Sequence, residues 1–157
     1  CHWSAKLKIY IEFDNPMSLL DSSLLNVSNY QLDQINSHYA ESRITHLLPW
    51  QVECLKQPGV LQLGQNLVFS APTSAGMSLV ADVLLYKTLL ERKKKAIIVL
   101  PYVSIVEERV RSLKPLLEDK LGKQIGLLTG QHSSRAQLCR IDVVVCTIEK
   151  ANNLINR

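Results

Sequence analysis

The residues most able to do chemistry are the eight small and polar ones from Ala71 to Ser78, APTSAGMS. They lie between a short apolar run, NLVFSA, and an amphipathic stretch, so the order reads strand, turn, helix. A loop that holds phosphates needs residues small enough for several backbone N–H groups to turn inward. It also needs a helix start whose unpaired N–H groups and positive dipole end favour anionic oxygen. Ala71, Ser74, Ala75 and Gly76 supply the smallness, Pro72 and Thr73 complete the turn, and Ser78 supplies the hydroxyl that ordinarily holds Mg²⁺. In the general pattern G-x-x-x-x-G-K-[ST] the lysine position is the one that matters for charge, and Met77 stands there. A thioether has the length of the lysine stem without its charge, so it offers nothing to offset charge developing on a transferred phosphoryl group. Taken alone, the same letters also fit an ordinary strand-to-helix turn.

Positioning such a loop takes a parallel sheet covered by helices. After His46 short β-branched runs alternate with amphipathic stretches, which predicts strands at Asn66–Ala71, Ala96–Leu100, Gln124–Thr129 and Asp142–Cys146. Between them Leu79, Val83, Leu84 and Leu90 share one helical face. Val103, Val106, Val110, Leu113 and Leu117 share another, with Glu107, Glu108, Arg109 and Arg111 outward. Residues 1–45 read as a lead-in: Leu7, Ile9, Ile11 and Phe13 alternate as a short strand would, or lead in without structure. Leu32, Ile35, Tyr39 and Ile44 recur at helical spacing, as in short surface helices. The run Arg92–Lys95 fits solvated cations beyond a helix carboxyl end, with a nucleic-acid patch as the other reading.

Bulk properties bound the function classes. The chain has 157 residues, 46% hydrophobic and 20% charged, as an ordinary globular domain does. A net charge of +4 permits a polyanionic partner without demanding one. The four cysteines, Cys1, Cys54, Cys139 and Cys146, form no C-x-x-C pair, so neither a zinc site nor a disulfide framework is expected. His46 and His132 lack a partner acid or thiol nearby in sequence and read as surface residues. No stretch predicts a membrane span or a secretory leader, which places the chain in cytosol or nucleus. Beginning at Cys1 and ending within a helical pattern, the sequence looks cut at both ends.

Five blocks in order resemble the first RecA-like domain of superfamily-2 (DEAD/DEAH-like) helicases, closest to the helicase-like domain of DNA polymerase theta and related repair helicases. They are LLPWQVECL (Leu47–Leu55), NLVFSAPTSAGMSLVADVLL (Asn66–Leu85), IIVLPYVSIVEE (Ile97–Glu108), LLTGQHSSR (Leu127–Arg135) and DVVVCTIEKANNLINR (Asp142–Arg157). The resemblance implies an α/β, RecA-like P-loop domain over residues 46–157, incomplete at its carboxyl end. It implies ATP and Mg²⁺ at Gln51 and Ala71–Ser78, with Gln51 reading adenine and Ser78 on the metal. It further implies a sequence-independent path for single-stranded or forked DNA along Pro101, Tyr102, Ser104, Thr129, Gly130, Gln131 and Thr147. Thr147 also reads as a helix N-cap. The family's acidic block and a second motor domain would lie beyond Arg157, so this chain alone is not expected to hydrolyse ATP. DNA repair and the nucleus follow from the same resemblance. A non-hydrolysing module that clamps nucleotide and nucleic acid is the alternative that Met77 raises. A P-loop kinase or transporter ATPase lacks the Gln51 and TIEK blocks.

Overall fold

The computed structural model describes residues 8–12, 39, 44, 46–63, 66–72, 75–128 and 139–156. Two compact units divide the chain, Cys1–Lys87 and Thr88–Arg157.

In the first unit strand β1 (Lys8–Glu12) pairs in parallel with β2 (Asn66–Ser70), Lys8 opposite Asn66 and Glu12 opposite Ser70. Of the alternating residues read there, Ile9 and Ile11 fall in this strand beside β2, which carries the loop, while Leu7 and Phe13 lie outside the described residues. Helix α1 (Pro49–Lys56) starts on Pro49, whose fixed φ suits a first helical turn and whose missing N–H is not needed there. It buries Trp50, Gln51, Val52, Cys54 and Leu55, and the Trp50 ring lies 5.8 Å from Phe69 of β2. A short turn of helix, α2 (Val60–Leu63), leads to β2, and α3 (Met77–Leu90) leaves the loop. The face predicted for α3 needs correction. Val80, Asp82, Val83, Leu85 and Tyr86 are the buried positions, with Leu89 near the helix end, while Leu79, Leu84 and Leu90 are half-buried. A helix apolar nearly all round gives periodicity little to select. Tyr39 is likewise a core residue: its hydroxyl donates to the Asp82 carboxylate at 3.4 Å and its ring meets Tyr86 edge-on at 6.3 Å.

The second unit holds a three-stranded parallel sheet in the order β3 (Ala96–Leu100), β5 (Val143–Thr147), β4 (Ile125–Leu128). Helix α4 (Val103–Lys114) lies on the sheet, burying Val106 and Leu113, whereas Val103 is exposed. Pro115 cannot donate to a carbonyl four residues back, and α4 runs on as a π-helical turn, Pro115–Lys120. The wider turn closes with Leu121 N–H on Leu116 C=O at 3.1 Å and buries two consecutive leucines, Leu116 and Leu117. Helix α5 (Ile148–Ile155) sets Ala151 and Leu154 against Ile97, Leu128, Ile141, Val144 and Cys146. With helices supplying apolar cover, β5 is buried at every residue, which explains its unbroken Val-Val-Val-Cys-Thr composition. Each valine so buried contributes about 1.5–3 kcal/mol.

Among the described residues Cys54, Cys139 and Cys146 are free thiols and no cluster of His, Cys, Asp or Glu could hold a metal. Burial, with the Glu53 charge second, pushes the Cys54 thiol up to about 11, so it stays protonated and unreactive at neutral pH. No helix among the described residues is long and apolar enough to cross a membrane.

Candidate nucleotide loop and nucleic-acid edge

The chain leaves β2 at Ser70 and enters α3 at Met77, so the predicted loop does fall between strand end and helix start. Of its residues Ala71, Pro72, Ala75, Gly76, Met77 and Ser78 are described; Thr73 and Ser74 lie outside the described residues. The Ala75 N–H donates to the Pro72 carbonyl at 3.2 Å, closing a turn. Gly76 then takes the left-handed conformation, φ 79°, which costs a residue with a Cβ about 1–2 kcal/mol. That turn aims the chain into α3, whose leading Met77 and Ser78 N–H groups have no carbonyl within the helix to bond.

Gln51 is the residue brought to this turn from furthest away. It is 2% exposed, and its Nε2 donates to the Gly76 carbonyl at 2.8 Å while its Oε1 accepts the Leu48 N–H at 2.8 Å. One amide therefore caps the start of α1 and clasps the loop, 25 residues on. The fit is close: a Cβ at Gly76 would stand 2.8 Å from Gln51 Nε2. The space around Gly76 is shaped for backbone. Truncating the amide removes both hydrogen bonds, at about 0.5–1.5 kcal/mol each, so Gln51→Ala is predicted to lower stability by about 1–3 kcal/mol in chemical denaturation. Retention of full stability would mean the clasp contributes nothing.

Met77 and Ser78 are both exposed at the helix start. Residues able to take an Mg²⁺-bound triphosphate are therefore backbone N–H groups and the Ser78 hydroxyl, with no cation at Met77 to assist. A turn of small residues leading into a helix start, with the Ser78 hydroxyl exposed there, fits that ligand.

The second group of predicted residues stands at the carboxyl ends of paired strands, since Leu100 of β3 lies beside Thr147 of β5. Pro101, Tyr102 and Ser104 are exposed, Tyr102 at 67%. Thr129, Gly130 and Gln131 lie outside the described residues. Thr147 occupies the N-cap position of α5 but is 7% exposed and makes no side-chain cap. Its hydroxyl bonds the Glu149 carboxylate, which also accepts its own backbone N–H, the larger cause holding this acid below its ordinary value. A depressed carboxylate of this kind lends stability above its unfolded pKa, and that contribution is lost as pH falls through the lower folded value. Ile148, 59% exposed beside Tyr102's segment, was not anticipated. Three residues ahead of Ala151, it has the spacing of a core position, so sequence gave no signal of its exposure.

The DEAD/DEAH box helicase family profile matches residues 49–157. DNA polymerase theta of Drosophila melanogaster is 37% identical over 146 residues, 92% of this chain and 7% of that protein. The POLQ-like helicase of Caenorhabditis elegans is 43% identical over 110 residues, 68% of this chain and 12% of that protein. The ATP-dependent DNA helicase Hel308 of Pyrococcus abyssi is 33% identical over 132 residues, 83% of this chain and 17% of that protein. The chain thus spans only 7 to 17% of the length of these relatives.

Proposed function

Because this chain belongs to the DEAD/DEAH box helicase family, we propose that it is part of the first motor domain of an ATP-dependent DNA helicase acting in DNA repair, over residues 46–157. The nucleus as its location belongs to the same proposal. What supports it is the clasp of Gln51 on Gly76, which joins the two blocks that the family resemblance assigns to nucleotide. In this reading the Met77 and Ser78 N–H groups and the small turn receive the β and γ phosphates. Ser78 would hold Mg²⁺, which supplies charge neutralisation when bound. Gln51 has a second N–H and a second lone pair, the pair of contacts an adenine edge uses. Comparison of ATP with inorganic triphosphate tests this role: ATP is expected to bind tighter in wild type and equally in Gln51→Ala. Equal binding of both ligands by wild type would remove adenine reading from Gln51.

Met77 favours a particular form of the function, in which this chain holds nucleotide without turning it over. The missing ammonium takes away stabilisation of transferred charge while leaving backbone contacts in place.

DNA lies, in the same proposal, along Pro101, Tyr102, Ser104, Thr129, Gly130, Gln131 and Thr147, with the rest of the motor as partner. Phosphates there meet N–H groups at the starts of α4 and α5, contacts blind to sequence. The exposed Tyr102 ring adds a face on which a base stacks. Tyr102→Ala is predicted to weaken binding of an oligo-dT strand about 5- to 150-fold by fluorescence anisotropy, the worth of about 1–3 kcal/mol for one stacked base. An unchanged affinity would take the strand away from this edge.

A further inference from the structure

The amino-terminal ends of the second unit's strands carry a feature that neither the nucleotide loop nor the proposed DNA edge uses. Ala96, Val143 and Ile125 stand in one row across β3, β5 and β4. The segments before them are stitched together. Ala96 N–H bonds the Asp142 carbonyl at 2.9 Å, Asp142 N–H bonds the Gln124 carbonyl at 2.8 Å, and Lys95 Nζ bonds the Cys139 carbonyl at 2.5 Å. Cations far apart in sequence are thereby collected on one edge: Lys93, Lys94 and Lys95 before β3, Lys120 and Lys123 before β4, and Arg140 before β5. All are exposed except the half-buried Lys123. Two left-handed turns, at Lys93 (φ 50°) and Gly122 (φ 61°), bend the chain where these segments enter the sheet.

A helix carboxyl end attracts one or two cations through its dipole, and α3 and the π-helical turn both end here. That accounts for some of the lysines singly, and Arg140 closes a helical turn of its own, but the gathering of all of them on one edge follows from the strand order β3, β5, β4. Two of the carboxylates on these segments have partners elsewhere. Asp142 Oδ2 accepts the Gln124 N–H at 2.9 Å, and Glu118 faces Lys114 at 3.7 Å. Three strands about 4.8 Å apart make an edge roughly 10 Å wide. Along one nucleic-acid strand, at about 3.4 Å per phosphate, that width spans about three phosphates.

We infer that this basic edge is a second nucleic-acid contact, taking the phosphate backbone of a duplex segment at the end of the sheet opposite the proposed single-strand path. Strands of five residues at about 3.3 Å each set the two edges some 16 Å apart, too far for one run of phosphates to cover both without turning. The choice of duplex nucleic acid over an acidic protein segment rests on membership of a helicase family. The contact itself needs neither nucleotide nor the single-strand edge.

The test uses a short blunt-ended duplex, which offers no single strand, and the fourfold variant Lys93→Gln, Lys94→Gln, Lys123→Gln, Arg140→Gln. The variant is expected to bind duplex about tenfold or more weaker at low salt. Its slope of log affinity against log salt is expected to be shallower by about three to four, near 0.9 per phosphate contact. A companion variant with Lys93, Lys94 and Lys123 changed to Arg and Arg140 to Lys keeps the charge and is expected to bind as wild type, separating charge from folding. Tyr102→Ala is expected to leave duplex binding unchanged while weakening oligo-dT. Duplex binding by the fourfold variant with wild-type affinity and slope overturns the inference, and so does a polyglutamate peptide of equal charge outcompeting the duplex. If oligo-dT binding is insensitive to Tyr102→Ala while duplex binding follows the basic edge, the proposed single-strand path fails and this contact stands.

Discussion

Met77→Lys tightens binding of Mg²⁺-ATP by about 10- to 150-fold in a calorimetric titration, the worth of one charge-assisted contact of about 1.5–3 kcal/mol. Met77 is the first residue of α3 and 41% exposed, so a lysine stem of equal length fits without disturbing the core. Its ammonium would sit at the positive end of the helix, which costs the unliganded chain about 0.3–1 kcal/mol at most. That small repulsion reverses once a triphosphate lies between the helix start and the cation. Binding, not turnover, is the readout, since hydrolysis demands further groups than a restored lysine. Two controls make the result decisive. Met77→Leu keeps an apolar side chain of similar volume and is expected to bind as wild type; a gain equal to that of lysine would sink the electrostatic explanation. Wild type binding as tightly as Met77→Lys would show that backbone and Ser78 suffice, which is the behaviour of a clamp.

The strands were legible because apolar β-branched runs mark them: Val143–Thr147 is buried at every residue, and Ala96–Leu100, half-buried apart from the exposed Val99, carries the same Ile and Val composition. Helix α4 was legible for the complementary reason, its charged face being distinct from Val106, Leu113 and Leu117. Helix α3 was legible as a helix but its buried face was not, since an almost wholly apolar helix has no face for periodicity to find. The loop was legible from small residues between strand and helix. The second role of Gln51 was not. A side chain that caps its own helix and clasps a carbonyl 25 residues away leaves no local pattern. Thr147 illustrates the same limit: its position at a helix start is local and readable, but the diversion of its hydroxyl to Glu149 depends on rotamers. The basic edge needed topology, because only the order β3, β5, β4 brings Lys93, Arg140 and Lys123 together.

Gly76→Ala is expected to be the most damaging single substitution in the first unit for its size. Two independent costs meet in one methyl group. The backbone stands at φ 79°, where a Cβ costs about 1–2 kcal/mol, and the new Cβ would lie 2.8 Å from Gln51 Nε2, forcing the amide off the Gly76 carbonyl. Losing that bond adds about 0.5–1.5 kcal/mol, for a total near 2–3 kcal/mol. At about 2–4 °C per kcal/mol for a chain of this size, Tm falls by roughly 4 to 12 °C. Nucleotide affinity falls with it, because the turn that aims Met77 and Ser78 N–H groups is the one disturbed. The two costs separate in a double-mutant cycle. With Gln51→Ala in place there is no amide to collide with, so adding Gly76→Ala costs only the backbone strain, and the pair couples by about 1 kcal/mol. Purely additive effects would mean that Gln51 does not touch the turn. A Gly76→Ala chain that melts with wild type would mean that the turn is not left-handed, and with it would go the cradle on which the nucleotide reading stands.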